Sequence, residues 1–270
     1  MGYYINVEPE VNLYVEDLNP EGKNVILFLH GWPGSHELFE YQFNKLASQG
    51  FRCIGLDQRG FGKSDRPLTG YGYDRLADDV RCIIDTLELH DIMLLGHSTG
   101  GSIAVRYMSR HHAYGVRRLV LCAAAAPSLI RRPDFPYGVP KEVIQDMIHT
   151  TYTDRPKMLQ DFGANFFFRS VSPALMDWFF QLGLAAAGWA TAAVENTWIE
   201  EVLFTDLERI TTPTLIMHGI HDHVVPFTLA EIQNKMIRNS ILHPFECCGH
   251  GFFIEEMDRF NKEVAHFALS

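Results

Sequence analysis

The chain has none of the features that carry a protein into or across a membrane. No uninterrupted apolar run approaches the roughly 18 residues of a transmembrane helix. Met1-Gly2-Tyr3-Tyr4-Ile5-Asn6-Val7-Glu8 lacks a basic stretch followed by a long apolar one. No signal peptide is expected, and the expected location is cytoplasmic. Positive charge is scarce too. Lys and Arg number 23 against 33 Asp and Glu, a net charge of −10, which argues against nucleic acid or an anionic membrane as partner. The cysteines number five, an odd count for a disulfide framework. Cys53, Cys82 and Cys122 stand in apolar contexts and are expected to be buried thiols. Cys247 and Cys248 are expected to pack the end of the last strand. The sequence leaves a homo-oligomer open.

At 270 residues with a hydrophobic fraction of 47%, the chain can form one large α/β core with an inserted subdomain. Tyr3–Val7 and Val11–Asp17 read as a hairpin. Strands are expected at 25–29, 51–56, 91–95, 116–122, 214–219 and 241–246, with helices over roughly 36–49 and 74–89. Leu76, Val80, Ile83, Ile84 and Leu87 give the second helix its apolar stripe. Strands alternating with helices predict a mostly parallel sheet covered on both faces. Residues 127–205 break the alternation, beginning with Pro127, Pro133, Pro136 and Pro140 and continuing with helical patterns. We expect a helical cap there, with the core formed by 1–126 and 206–270.

Gly96-His97-Ser98-Thr99-Gly100 lies between an apolar strand and a helix, the context of a nucleophile elbow. Glycines at 96 and 100 let the backbone turn sharply and project the Ser98 hydroxyl above the sheet edge. A serine becomes a nucleophile only when a base takes its proton and a carboxylate orients that base. Asp222 and His250 each fall just past a strand, in the order Ser, Asp, His, on the edge where open α/β sheets bind ligands. Val25–Leu29 runs into His30-Gly31-Trp32-Pro33-Gly34, and Pro33 has no N–H to donate. Trp32 and Thr99 are therefore the expected backbone donors of an oxyanion hole. His218, His221, His223, His243 and His250 invite a metal reading, but Asp222 and its loop account for them, and no metal or other cofactor is expected. Asp57 and Arg59 are expected to hold a turn beside the oxyanion loop.

HGWPGS at 30–35, LDQRGFGKSDRP at 56–67, GHSTGG at 96–101, HGIHDHVVPF at 218–227 and CGHGFF at 248–253 occur in one order across nearly the whole chain. In these stretches the sequence resembles the α/β-hydrolases, in the branch of bacterial aryl esterases and cofactor-free haloperoxidases, or perhydrolases. The resemblance implies an α/β-hydrolase fold: a mostly parallel eight-stranded sheet flanked by helices, with a helical cap. It maps Ser98, His250 and Asp222 onto nucleophile, base and acid, and Trp32 and Thr99 onto the oxyanion donors. Gly34 departs from the bulkier residue the family often carries there. Haloalkane dehalogenases and epoxide hydrolases of this fold use Asp at the nucleophile position, so Ser98 argues against both.

The cap is rich in aromatics, and Phe162 and Phe166, with Val225 and Phe227 from the acid loop, are expected to line an apolar pocket above Ser98. No Arg or Lys cluster marks a site for an anionic acyl carrier. The expected activity is hydrolysis of small to medium apolar aryl or alkyl esters through an acyl-enzyme, with peroxide in place of water as a side reaction. A lactonase or carbon–carbon bond hydrolase using the same three residues is the alternative. A ligand-binding receptor that has lost turnover is a more distant one.

Overall fold

The computed structural model describes residues 1–270. Its strands are β1 (Gly2–Glu8), β2 (Val11–Leu18), β3 (Asn24–Leu29), β4 (Phe51–Leu56), β5 (Ile92–His97), β6 (Val116–Cys122), β7 (Thr214–Gly219) and β8 (Ser240–Phe245). They form one sheet in the order β1-β2-β4-β3-β5-β6-β7-β8. β1, β2 and β4 pair antiparallel, and every other pairing is parallel. β2 alternates, with Val11, Leu13, Val15 and Asp17 buried and their neighbours partly open. β5 and β7 are instead buried along their whole length, as strands covered on both faces must be. Pro244 is tolerated in β8 because that strand forms the edge of the sheet, where one side of the backbone has no ladder to complete.

The helices are α1 (Glu40–Ser48), α2 (Tyr73–Thr86), α3 (Thr99–Arg110), α4 (Lys141–Thr153), α5 (Arg155–Ala164), α6 (Pro173–Leu184), α7 (Gly188–Glu200), α8 (Phe204–Glu208), α9 (Thr228–Met236), α10 (Phe252–Glu255) and α11 (Met257–Leu269). No helix is long and apolar enough to cross a membrane. The helix expected from residue 36 begins instead as a tighter 3-10 turn, His36–Phe39, because the Asp57 carboxylate takes the His36 N–H at 2.7 Å and the Ser35 hydroxyl takes that of Glu37. Cys82 is only half-buried; it sits on α2 beside the Asn6 carbonyl at the sheet margin, not in the core as expected.

Helices α4 to α7 fill the chain between β6 and β7. The expected boundary between 205 and 206 cuts through α8, which packs on α3 and α9 and so goes with the sheet. The inserted helices close both apolar layers. Successive strand residues face opposite sides of the sheet, so Leu27, Leu94 and Ile216 belong to one layer and Phe28, Leu95 and Met217 to the other. Met158, Ala190, Val194 and Trp198 join the first layer; Phe166, Phe179 and Leu182 join the second.

One polar group interrupts this packing. Glu195 of α7 is fully buried; its Oε2 lies 3.4 Å from the Thr151 hydroxyl of α4, and its Oε1 has no partner. Burial pushes its pKa up to about 8 from an ordinary 4.5. The folded chain therefore keeps this proton longer than the unfolded chain does. Stability declines as pH rises from about 4.5 to about 8 and is flat with respect to this group above that. Glu195→Gln is expected to remove the slope. Thermal denaturation should find the gap in Tm between variant and wild type widening in the variant's favour across that interval; a gap independent of pH would contradict a buried neutral carboxyl.

Candidate active site

The C-terminal ends of four parallel strands bring the expected site residues to one edge. His97, Cys122, Met217 and His243 sit in register across β5, β6, β7 and β8. Ser98 follows β5 directly, Asp222 follows β7 and His250 follows β8. Ser98 has φ 53° and ψ −119°, a conformation that costs on the order of 1–3 kcal/mol outside glycine. The neighbours hold it there. Its N–H donates to the Cys122 carbonyl at 2.8 Å, and its carbonyl accepts from Gly101 at 2.9 Å and Ala125 at 3.2 Å. A Cβ at Gly100 would run into the Leu29 carbonyl, and one at Gly96 into the backbone of Gly100.

Asp222 is fully buried and spends every acceptor position. Oδ1 takes the N–H groups of Val224 at 2.7 Å and Val225 at 2.8 Å; Oδ2 takes His250 Nδ1 at 2.6 Å and lies 3.0 Å from His218 Nε2. Burial alone would raise its pKa, but the His250 charge and the hydrogen bonds from both histidines outweigh it and hold the carboxyl well below the usual range. With Nδ1 committed to Asp222, His250 keeps Nε2 buried and free of any partner. Ser98 is 6% exposed, and its hydroxyl also makes no hydrogen bond, to His250 or to any other group.

The elbow and the His250 loop are joined through His97. Its ring lies 4.5 Å from that of His250, and its Nε2–H donates to the His250 carbonyl at 3.2 Å. Burial, and the His250 charge after it, push the His97 pKa well down, so the ring is neutral and donates through one nitrogen.

The His30-Gly31-Trp32 loop is clamped by the turn after β4. The Gln58 N–H donates to His30 Nε2 at 3.0 Å, which leaves Nδ1–H to donate to the Gly31 carbonyl at 2.9 Å. Gln58 Nε2 donates to the His30 carbonyl at 2.6 Å. Burial lowers the His30 pKa to about 4, in keeping with that single tautomer. Asp57 and Arg59 brace the same turn. Asp57 accepts from His36 and the Lys63 N–H, and the buried Arg59 guanidinium bridges Asp79 and Glu8. The Trp32 N–H makes no hydrogen bond within the protein. Thr99 opens α3, so its N–H has no helical carbonyl behind it.

The cap fastens onto both residues. Trp32 Nε1 donates to the Thr191 carbonyl at 3.2 Å, and Trp198 Nε1 donates to Thr99 Oγ1 at 3.1 Å. The Trp32 ring meets Trp198 and Phe162 edge to face at 5.1 and 5.0 Å. Beneath the cap lies a cavity of about 310 Å³ with Ser98 and Trp32 in its wall. Of the residues expected to line it, Phe162 and Val225 do. Phe166 and Phe227 do not. Phe166 lies past the end of α5 and turns its ring edge-on to His250 at 5.2 Å, behind the cavity. Phe227 caps α9 and packs on His218 at 5.7 Å. Gln58, His97, His218 and Trp198 were not expected here. Gln58, His97 and His218 stand in stretches singled out in the sequence, without these roles, whereas Trp198 does not.

A protein-family model described as alpha/beta hydrolase fold matches residues 24–257. The chain belongs to the α/β-hydrolase family. This α/β-hydrolase is 47% identical, over 100% of both chains, to the AB hydrolase superfamily protein YisY of Bacillus subtilis. It is 30% identical to the bifunctional esterase/perhydrolase DCH of Acinetobacter calcoaceticus, with 99% of each chain covered. Among solved structures it superposes on an esterase from Exiguobacterium antarcticum with a TM-score of 0.97 and 40% identity, over 100% of both chains. Expected and observed architecture agree: an eight-stranded, mostly parallel hydrolase sheet flanked by helices.

Gln58→Leu leaves the buried His30 carbonyl without its donor. It is expected to cost about 1–3 kcal/mol of stability in urea denaturation. A variant as stable as wild type would show that the clamp is dispensable.

Proposed function

We propose that this hydrolase cleaves small to medium apolar carboxylic esters through an acyl-enzyme on Ser98. The observation that carries the reading lies at the sheet edge: Ser98 in the cavity wall, and a buried His250 whose Nδ1 is tied to Asp222 and whose Nε2 is free. Names carried by similar proteins, esterase in one case and esterase/perhydrolase in another, support the reaction class.

In this mechanism His250 Nε2 takes the Ser98 proton as Oγ attacks the ester carbonyl. The tetrahedral oxyanion is met by the N–H groups of Trp32 and Thr99, and each such donor is worth roughly 2.7–4 kcal/mol in the transition state. His250 then hands its proton to the leaving alcohol. Water, activated by the same nitrogen, attacks the acyl-enzyme and releases the acid. Asp222 keeps the imidazole in the tautomer that presents Nε2 and stabilises the imidazolium. Hydrogen peroxide attacking in place of water releases a peracid, with no further cofactor required. The cavity, about 310 Å³ and lined mainly by apolar side chains, suits a short or medium acyl chain.

Purified protein should hydrolyse p-nitrophenyl acyl esters, fastest on short chains and falling off towards palmitate. Ser98→Ala should lose roughly 10³-fold or more of that rate while keeping its far-ultraviolet circular dichroism. A Ser98→Ala variant with wild-type rates would overturn the assignment of the nucleophile. A wild type inert on the whole series would overturn the ester reading.

A further inference from the structure

The cavity has a graded wall. Ser98, Trp32, Met158, Trp198 and Val225 are buried and form its interior, whereas Asp146, Asp161, Asn165 and His223 are exposed and form its mouth. No Lys or Arg lines it. The two carboxylates differ. Asp161 is held by Lys157 at 2.5 Å on the outer surface of α5, while the Asp146 carboxylate of α4 has no hydrogen-bond or ion-pair partner in the protein. The interior adds Trp32, Trp198 and Phe162, whose rings meet edge to face. An unpaired carboxylate at the mouth of an apolar cavity that no Lys or Arg lines favours a positively charged group at that place. Ser98, 6% exposed, stands in the wall of this cavity and its side chain makes no hydrogen bond within the protein.

We propose that the preferred esters carry a positive charge on the part that lies at the mouth. An ammonium-bearing alcohol extends past Asp146 while the acyl group occupies the apolar interior beside Ser98. This rests on the ester-hydrolase reading above and adds the charge class of the substrate. An anionic substituent in the same position meets the unpaired Asp146 carboxylate and no lining Lys or Arg, so it is disfavoured. Asp146 is the main charge determinant; Asp161, shared with Lys157, contributes less.

The test compares butyrylcholine with its uncharged carbon analogue, in which a tert-butyl group replaces trimethylammonium, by pH-stat titration, with p-nitrophenyl butyrate run alongside. An exposed charge pair is worth up to about fivefold, so kcat/KM for the choline ester should exceed that of the analogue by about that factor at low salt. The ratio should fall in Asp146→Asn, fall further in the double variant with Asp161→Asn, and shrink in about 0.5 M NaCl. Taking the ratio within each variant cancels any general loss of activity. Hydrolysis of p-nitrophenyl butyrate with a choline-to-analogue ratio of one or less in wild type overturns this inference and leaves the ester reading standing. So does a ratio that Asp146→Asn does not change. No turnover of any of the three esters overturns the ester reading and this inference with it.

Discussion

A serine at φ 53° has to be restrained from both sides, and those restraints set the geometry of the whole sheet edge. Its amide and carbonyl are tied to β6 and to the chain just beyond it, and α3 leaves it at once, with glycines where the helix passes β3 and its own strand. Because β5 is fixed between β3 and β6, the loops after those strands are held at close range too. The His30–Trp32 loop comes against one side of the elbow, and the His250 loop comes against the other through His97. A side chain at Gly31 would strike the His97 ring, so even the approach of the first loop is set by the absence of a Cβ.

Buried polar groups here are arranged in two ways. Some hold backbone in place: Asp222, Asp57, Arg59 and Gln58 Nε2 each have short, specific partners. His250 Nε2 is left open, buried without a partner. An unsatisfied buried group is unfavourable by about 1–3 kcal/mol, so a fold carries such a vacancy only where other contacts outweigh it. Here the saturated neighbours supply them. Glu195 is the counterexample within the cap, a carboxyl half-satisfied by Thr151 alone.

The strands were legible because parallel strands covered on both faces are continuous apolar runs, and β3, β5 and β7 are such runs. Ser98 and Asp222 were legible as candidates because each follows one of those runs within a few residues, and His250 because it follows the strand-like run of β8, so placing the strands placed them. Side-chain direction was not. Phe162 and Phe166 stand four apart, a spacing that on one helix shares a face, but α5 ends at Ala164, and although the rings stay 6.0 Å apart only Phe162 reaches the cavity wall while Phe166 lies against His250. Trp198 left no signal, since it acts through a partner distant in sequence, and His218 stood out only as a histidine, because the path of the loop it holds is not specified by the local pattern. α8 spans the expected boundary at 205 for a related reason: it continues the helical composition of the cap while packing on α3 and α9.

The two tryptophan N–H bonds bind the roof of the cavity to its floor. Trp32 belongs to the floor and donates into α7; Trp198 belongs to α7 and donates to the first residue of α3. Lifting α7 would therefore drag the Trp32 loop out of place and strip Thr99 of its partner, dismantling the site it uncovered. These two bonds favour a fixed aperture to Ser98 over a swinging door. Such an aperture works as a sieve on single dissolved molecules, whereas a substrate packed in a lipid droplet would have to leave its neighbours before it could thread through.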